Sequence, residues 1–253
     1  MNGAAGRRSS GWLRLLRVWP ALLGAWAGCV SAQTINISPV RAVLSAADPV
    51  AVFTLRNDDP GRPTLIQARA SAWTVDGSGD HYDPTRDLLV SPTVFRLEPG
   101  QAQVVRVSLR GKADPRSERL YRLFLQQLPD EADPARRSGN LRFLLTFSLP
   151  VVVAPSENPS PAANLVWRIA RDPAGEYRLR VTNDGTAHRK IAGVTLPSPD
   201  GELTIVSALT YLLPGTERVW SFKPTAPLPP GPVSLTVRAD DGTTSVVQAA
   251  PAE

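Results

Sequence analysis

Residues 141–149 read LRFLLTFSL. Leu141, Phe143, Leu145, Phe147 and Leu149 fall on alternate positions, with Arg142, Leu144, Thr146 and Ser148 between them. A strand sends successive side chains to opposite faces, so this spacing predicts a strand with large apolar groups along one side. Periodicity alone leaves two readings open. The row packs into the chain's own core, or it is a surface kept for another protein. The loop before it, PDEADPARRSGN at 129–140, is long, charged and punctuated by Gly and Pro. Such a loop lets the strand lengthen when a partner arrives. On that reading the odd-numbered row faces outward and Leu144 packs inward.

Working outward, similar short runs recur along the chain. INISPVRAVLS (35–45), PVAVFTLRN (49–57), TLIQARASAW (64–73), VVRVSLR (104–110) and RLYRLFLQQL (119–128) are separated by turn clusters such as NDDPG at 57–61 and EPG at 98–100. Proline is abundant, 25 of 253 residues, which disfavours helices and central strands and favours turns. No long segment after residue 32 carries a 3.6-residue apolar rhythm. APSENPSPAA at 154–163 reads as an extended linker, after which YRLRVTNDG, ERVWSFKP and VSLTVRADDG resume the strand pattern. The expectation is all-β: two immunoglobulin-like β-sandwich domains in tandem, at 33–154 and 160–253. No internal repeat is visible.

The first 32 residues read as a cleaved signal peptide. Arg7, Arg8, Arg14 and Arg17 precede the apolar stretch VWPALLGAWAGCV at 18–30, and Val30-Ser31-Ala32 gives small residues before Gln33. The apolar stretch is short for a membrane span of ~20 residues. Removing it changes the charge. The whole chain is +5, but four of its 28 basic residues and none of its 23 acidic ones lie there. The mature chain is near neutral, which removes the main argument for nucleic-acid binding. Cys29, the one cysteine, leaves with the signal, so no disulfide is expected.

Nothing points to catalysis. His81 and His188 have no histidine or cysteine near them at metal-ligand spacing, and both read as surface residues. No phosphate loop or nucleophile elbow is present. We expect no enzyme activity, no cofactor, no metal and no small-molecule substrate.

Three stretches are more specific. SPTVFRLEPGQAQVVRV (91–107) resembles the signature of periplasmic pilus-assembly chaperones, the PapD-like family. SPVRAVLS (38–45) is similar to the family's first strand, and SERLYRLFLQQLP (117–129) to the segment before its donor strand. LTFSLPVVV (145–153) looks most like the archaic, Csu-type branch. The resemblance implies a soluble periplasmic chaperone. It would bind pilin subunits by lending them a strand, the donor-strand form of β-augmentation, and deliver them to an outer-membrane usher. Leu141, Phe143, Leu145, Phe147 and Leu149 would be the donor row. Arg41 matches the arginine that pairs with the pilin's C-terminal carboxylate. A second cation, a lysine, serves elsewhere in the family, and Ser148 stands in its place here. Arg96, Glu118 and Asp240 match a charge network between the domains. An open strand of this kind also suits self-association of the free protein. The competing reading is an exported structural or adhesive module of two immunoglobulin-like domains.

Overall fold

A computed structural model of the chain describes residues 35–76, 79–129, 143–198 and 201–252, and every regular element among them is a strand. Residues Thr34–Glu253 form one compact unit. The proposed signal peptide, the loop at 130–140 and Leu141 lie outside the described residues.

The first sandwich stacks two sheets, with strands numbered in chain order. One sheet is β1 (Ile35–Ser38), β3 (Val50–Asn57), β8 (Ala102–Leu109) and β6 (Leu88–Ser91), in that spatial order. The other is β2 (Ala42–Leu44), β10 (Thr146–Val153), β9 (Arg119–Leu128), β4 (Thr64–Asp76) and β5 (Gly79–Pro84), with β7 (Val94–Leu97) also on β4. The period-two pattern explains the stacking. Phe53 and Leu55 on β3, Val105 and Val107 on β8, and Leu123 and Leu125 on β9 alternate with polar or outward residues and are fully buried between the sheets. Burying each side chain of this size stabilises the fold by about 1.5–3 kcal/mol.

The second sandwich has its own core around Trp167, Leu179, Val181, Ile191, Val194 and Leu235. Its strands run in the order β14 (Gly201–Val206), β13 (Arg189–Ser198), β17 (Val233–Ala239), β18 (Thr244–Pro251), β11 (Leu165–Arg171), β12 (Tyr177–Asn183) and β16 (Thr216–Phe222), and β15 (Thr210–Leu212) pairs with β13. The single path arises because β18 pairs with β17 and then, at its end, parallel with β11.

The sandwiches share a clasp that sequence comparison within the chain does not reveal. Buried Asn57 ends β3, donates through Nδ2 to the Leu97 carbonyl (3.1 Å), and accepts the Gly100 N–H at its backbone carbonyl (2.8 Å). Buried Asn183 ends β12, donates to the Leu212 carbonyl (3.0 Å), and accepts the Gly215 N–H (2.7 Å). A Pro-Gly turn follows the acceptor strand in both cases, and both glycines have positive φ, a conformation side chains disfavour.

The linker between the sandwiches is bonded on both sides. Ser156 and Glu157 donate backbone N–H groups to the Asp114 and Pro115 carbonyls, and Asn158 reaches the Arg116 carbonyl and Thr186 Oγ1. Further along, the Thr186 and Ala187 N–H groups donate to the Ala162 carbonyl. The 183–188 turn thereby grips the linker, and Gly185 sits so close that a β-carbon there would lie 2.3 Å from the Ala162 carbonyl oxygen.

Candidate functional site

The stretch 141–149 is divided by the structure. β10 pairs antiparallel with β9 from Thr146↔Gln126 to Val153↔Arg119. Leu149 is buried in the first sandwich's core, and Phe147 packs against that core. The expectation that the whole odd-numbered row faces outward is corrected for these two, because the same face carries Val151 and Val153 between the sheets. Phe143, Leu144 and Leu145 precede the strand and are 73%, 41% and 43% exposed. Leu144 therefore does not pack inward, since the strand that would aim it inward has not begun.

β10 has an open edge. On the side away from β9, β2 pairs with it only at Val151–Val153, in parallel. Among the described residues no strand covers Thr146–Pro150 there. The Gln127 N–H donates to the Leu145 carbonyl, so the odd residues address β9. By alternation Thr146 and Ser148 turn their main-chain groups to the open edge, while Pro150 has only a carbonyl to offer.

Arg41 is exposed and immediately precedes β2, level with Pro150. On the other side of Pro150, in direct register, is Arg122 of β9. Leu120 and Arg122 share the face opposite Tyr121 and Leu123, so Arg41 and Arg122 flank Pro150 on the outer face of the sheet. Strand spacing puts their α-carbons ~10 Å apart, within reach of one small anion for two long side chains. Arg122 lies over the Trp73 ring (3.8 Å) and near Tyr211 of the second sandwich (5.2 Å). Its Nε is buried without a hydrogen-bond partner. An open cavity of about 560 Å³ between the sandwiches is lined by Arg122, Trp73, Asp80, Tyr211, Arg218 and Trp220, among others. Asp80 accepts there from Trp73 Nε1 and from Arg218 across the boundary, both at 2.7 Å.

Sequence reasoning overlooked Arg122. The available signal was a lone cation at the even phase of RLYRLFLQQL, between Leu120 and Phe124.

The expected charge network has different members. Glu118 accepts from His188 through the ring Nδ1 (2.6 Å) and the backbone N–H (2.8 Å). The His188 ring stacks on Tyr211 at 5.8 Å, Lys190 lies over the other ring, and Asp240 pairs with Lys190. His188 is thus a partly buried boundary residue, not a surface one, its side chain only 11% exposed. Arg96 is not part of this chain of contacts. It sits on β7 opposite Leu65, which faces Leu128 at the far end of β9. Nine residues from there to Arg119 span ~30 Å of strand, and Arg96 bonds Glu98 at 2.8 Å. Burial pushes the Glu118 carboxyl up, but the His188 hydrogen bonds and the charges of His188 and Arg41 outweigh it and hold the group below its ordinary range. His81 is a surface residue beside Asp76. Among the described residues no cluster of His, Cys, Asp and Glu is arranged to hold a metal, and no helix is long and apolar enough to cross a membrane.

Comparison with known proteins bears on this arrangement. The family described as "Pili and flagellar-assembly chaperone, PapD N-terminal domain" matches residues 34–159. The chain belongs to the PapD-like pilus-assembly chaperone family. This is a family of chaperones, not of enzymes. The chain is 27% identical over 208 residues to the probable fimbrial chaperone EcpB of Escherichia coli K12, covering 79% of this chain and 87% of that one. Its fold matches a chain in the CsuC–CsuE chaperone–tip adhesin complex of the archaic Csu pili of Acinetobacter baumannii. The TM-score is 0.66 at 18% identity, over 87% of this chain and all of that one. A second match is to a Salmonella enterica complex of the SafA pilin with the SafB chaperone, with a TM-score of 0.58 at 20% identity over 87% and 97% of the two chains. As in those PapD-like structures, the fold is two sandwiches in tandem.

Proposed function

We propose that this PapD-like chaperone is exported to the periplasm, captures pilin subunits by donor-strand complementation, and hands them to an outer-membrane usher, without catalysing a reaction. The archaic, Csu-type branch is its place within the family. The observation that carries the reading is the open edge of β10, continuous with three exposed apolar residues at one end and flanked by Arg41 and Arg122 at the other.

The edge also dictates how a client lies. A strand added to Thr146–Ser148 falls in line with β2 and ends against Arg41. β2 runs parallel to β10. A client running in that same direction brings its C-terminal carboxylate to the two arginines, where it can be held by charge-assisted hydrogen bonds. The opposite direction would bring an ammonium group to two guanidinium groups. Arg122 thus takes the place of the second cation that Ser148 does not supply.

Phe143 and Leu145, buried at ~1.5–3 kcal/mol each, give roughly 3–6 kcal/mol. Association and ordering cost on the order of 4–15 kcal/mol. Main-chain pairing along the edge must therefore supply part of the affinity, and the net is small enough for the client to be passed on.

The test is periplasmic co-expression with a pilin, followed by size exclusion. A one-to-one complex is expected, with recovery reduced by Arg41→Ala and by Arg122→Ala, and most by both. A pilin extended by a few residues past its natural carboxylate should be captured poorly. Normal recovery with the double variant, shown to be folded, would refute the carboxylate anchor; absence of any complex would refute the chaperone reading.

A further inference from the structure

Gln127 lies on the core-facing side of β9, in line with Tyr121, Leu123 and Leu125, and is 1% exposed. It sits opposite Leu145, where the donor segment leaves the sheet. Its backbone N–H donates to the Leu145 carbonyl at 2.9 Å. In a regular antiparallel pair Leu145 would return the bond to the Gln127 backbone carbonyl. The Leu145 N–H donates instead to the Gln127 side-chain oxygen Oε1 at 3.1 Å. An N–H needs an oxygen, so this bond also fixes which end of the carboxamide is which. The amide nitrogen Nε2 is then buried with no hydrogen-bond partner. A buried donor left unpaired is unfavourable by about 1–3 kcal/mol, and leucine at this position would avoid the penalty.

We propose that Gln127 is a positioning residue, a latch that sets where the donor segment departs from the chain's own sheet and that client capture releases. This rests on the donor-strand reading above. In the free protein the side-chain bond ends the regular ladder, and Phe143–Leu145 stand outside any strand, exposed. A client strand that pairs with Thr146 and Ser148 and takes Phe143 and Leu145 into its groove straightens the segment. The Leu145 N–H then passes to the Gln127 backbone carbonyl. The carboxamide is freed where the chaperone's core ends and the client's begins, and Nε2 gains a client main-chain carbonyl. β9 cannot extend the ladder unaided, because the residue opposite Phe143 is Pro129, which has no N–H.

The variants are Gln127→Leu and Gln127→Met, which keep the volume and remove both ends of the amide. In the free mature protein, amide exchange at Leu145 read by NMR is expected to slow roughly two- to tenfold as its N–H moves to the backbone carbonyl. Thermal stability is expected to hold or rise. The complex with a pilin is expected to dissociate roughly two- to tenfold faster, for want of the released amide's bond. Exchange at Leu145 that is unchanged or faster in both variants overturns the latch. Slowed exchange with unaltered dissociation overturns its release on capture. A wild-type chain that captures no pilin overturns the donor reading itself, and the exchange arm, which needs no client, tells that failure apart from failure of the latch.

Discussion

Replacing Leu149 and Phe143 by glutamate separates the part of the apolar row that builds the chaperone from the part it lends. Leu149 is 8% exposed and belongs to the first core, whereas Phe143 is 73% exposed. Leu149→Glu removes a buried leucine, a loss of about 2–5 kcal/mol by analogy with truncation to alanine, and adds a carboxyl with no partner. For a chain of this size each kcal/mol moves the melting temperature by about 2–4 °C, so a fall of roughly 5–20 °C is expected. Phe143→Glu removes no core contact and should stay within about 0.5 kcal/mol, a shift of at most ~2 °C. In co-purification with a pilin the order changes. Phe143→Glu should lose capture although the free protein is intact, because the carboxylate would enter an apolar groove unpaired. Leu144→Glu, at a position 41% exposed, should also leave the free protein stable. Differential scanning calorimetry on the free variants and pull-down with the pilin are sufficient. Were Phe143→Glu to melt as low as Leu149→Glu, or to capture pilin normally, the division of the row would be wrong.

Further outcomes follow from the boundary between the sandwiches. Gly185→Ala drives a methyl group to 2.3 Å from the Ala162 oxygen and 2.4 Å from the Asn164 nitrogen; since both are backbone atoms, about 1–3 kcal/mol of stability should be lost, with faster amide exchange at Thr186 and Ala187. The Glu118 carboxyl is depressed in the folded protein, so its contribution is present above the unfolded glutamate pKa, near 4.3, and disappears as pH falls through the lower folded value. Urea titrations should accordingly show a stability loss below about pH 4 that is shallower in Glu118→Gln. N-terminal sequencing of the exported protein should begin at Gln33; a lipid-bearing start at Cys29 would place it on a membrane instead.

The all-β architecture was legible because nearly every strand carries a two-residue apolar alternation, bounded by Pro, Gly and Asn turns. FRLEPG, the most family-specific stretch, is tied into the fold of the first sandwich itself. Its Leu97 carbonyl and Gly100 N–H close the Asn57 clasp, so its pattern follows from folding. Arg96 was misplaced for that reason: a recognisable motif was assigned to a boundary that lies a strand's length away. His188 and Tyr211 were invisible to spacing, because Glu118, which His188 bonds, and Trp73, which Tyr211 packs against, are 70 or more residues distant from them and only tertiary packing joins them. Leu149 was misassigned because alternation identifies a face without saying how far along it the core ends. Gln127 escaped notice because a polar residue at the end of an apolar strand reads as the strand's termination.

The bonds from the linker and from the 183–188 turn make the joint between the two sandwiches a brace. Proteins with two domains ordinarily drift in relative attitude unless the contact between them is extensive. Here the linker and turn bonds hold that attitude within the chain itself, with no client contributing to it. A captured subunit is then carried at a fixed bearing relative to both domains, like a part held in a jig. A docking platform that grips one sandwich needs no separate search over the client's angle, and the transfer step loses less rotational freedom than a freely jointed carrier would impose.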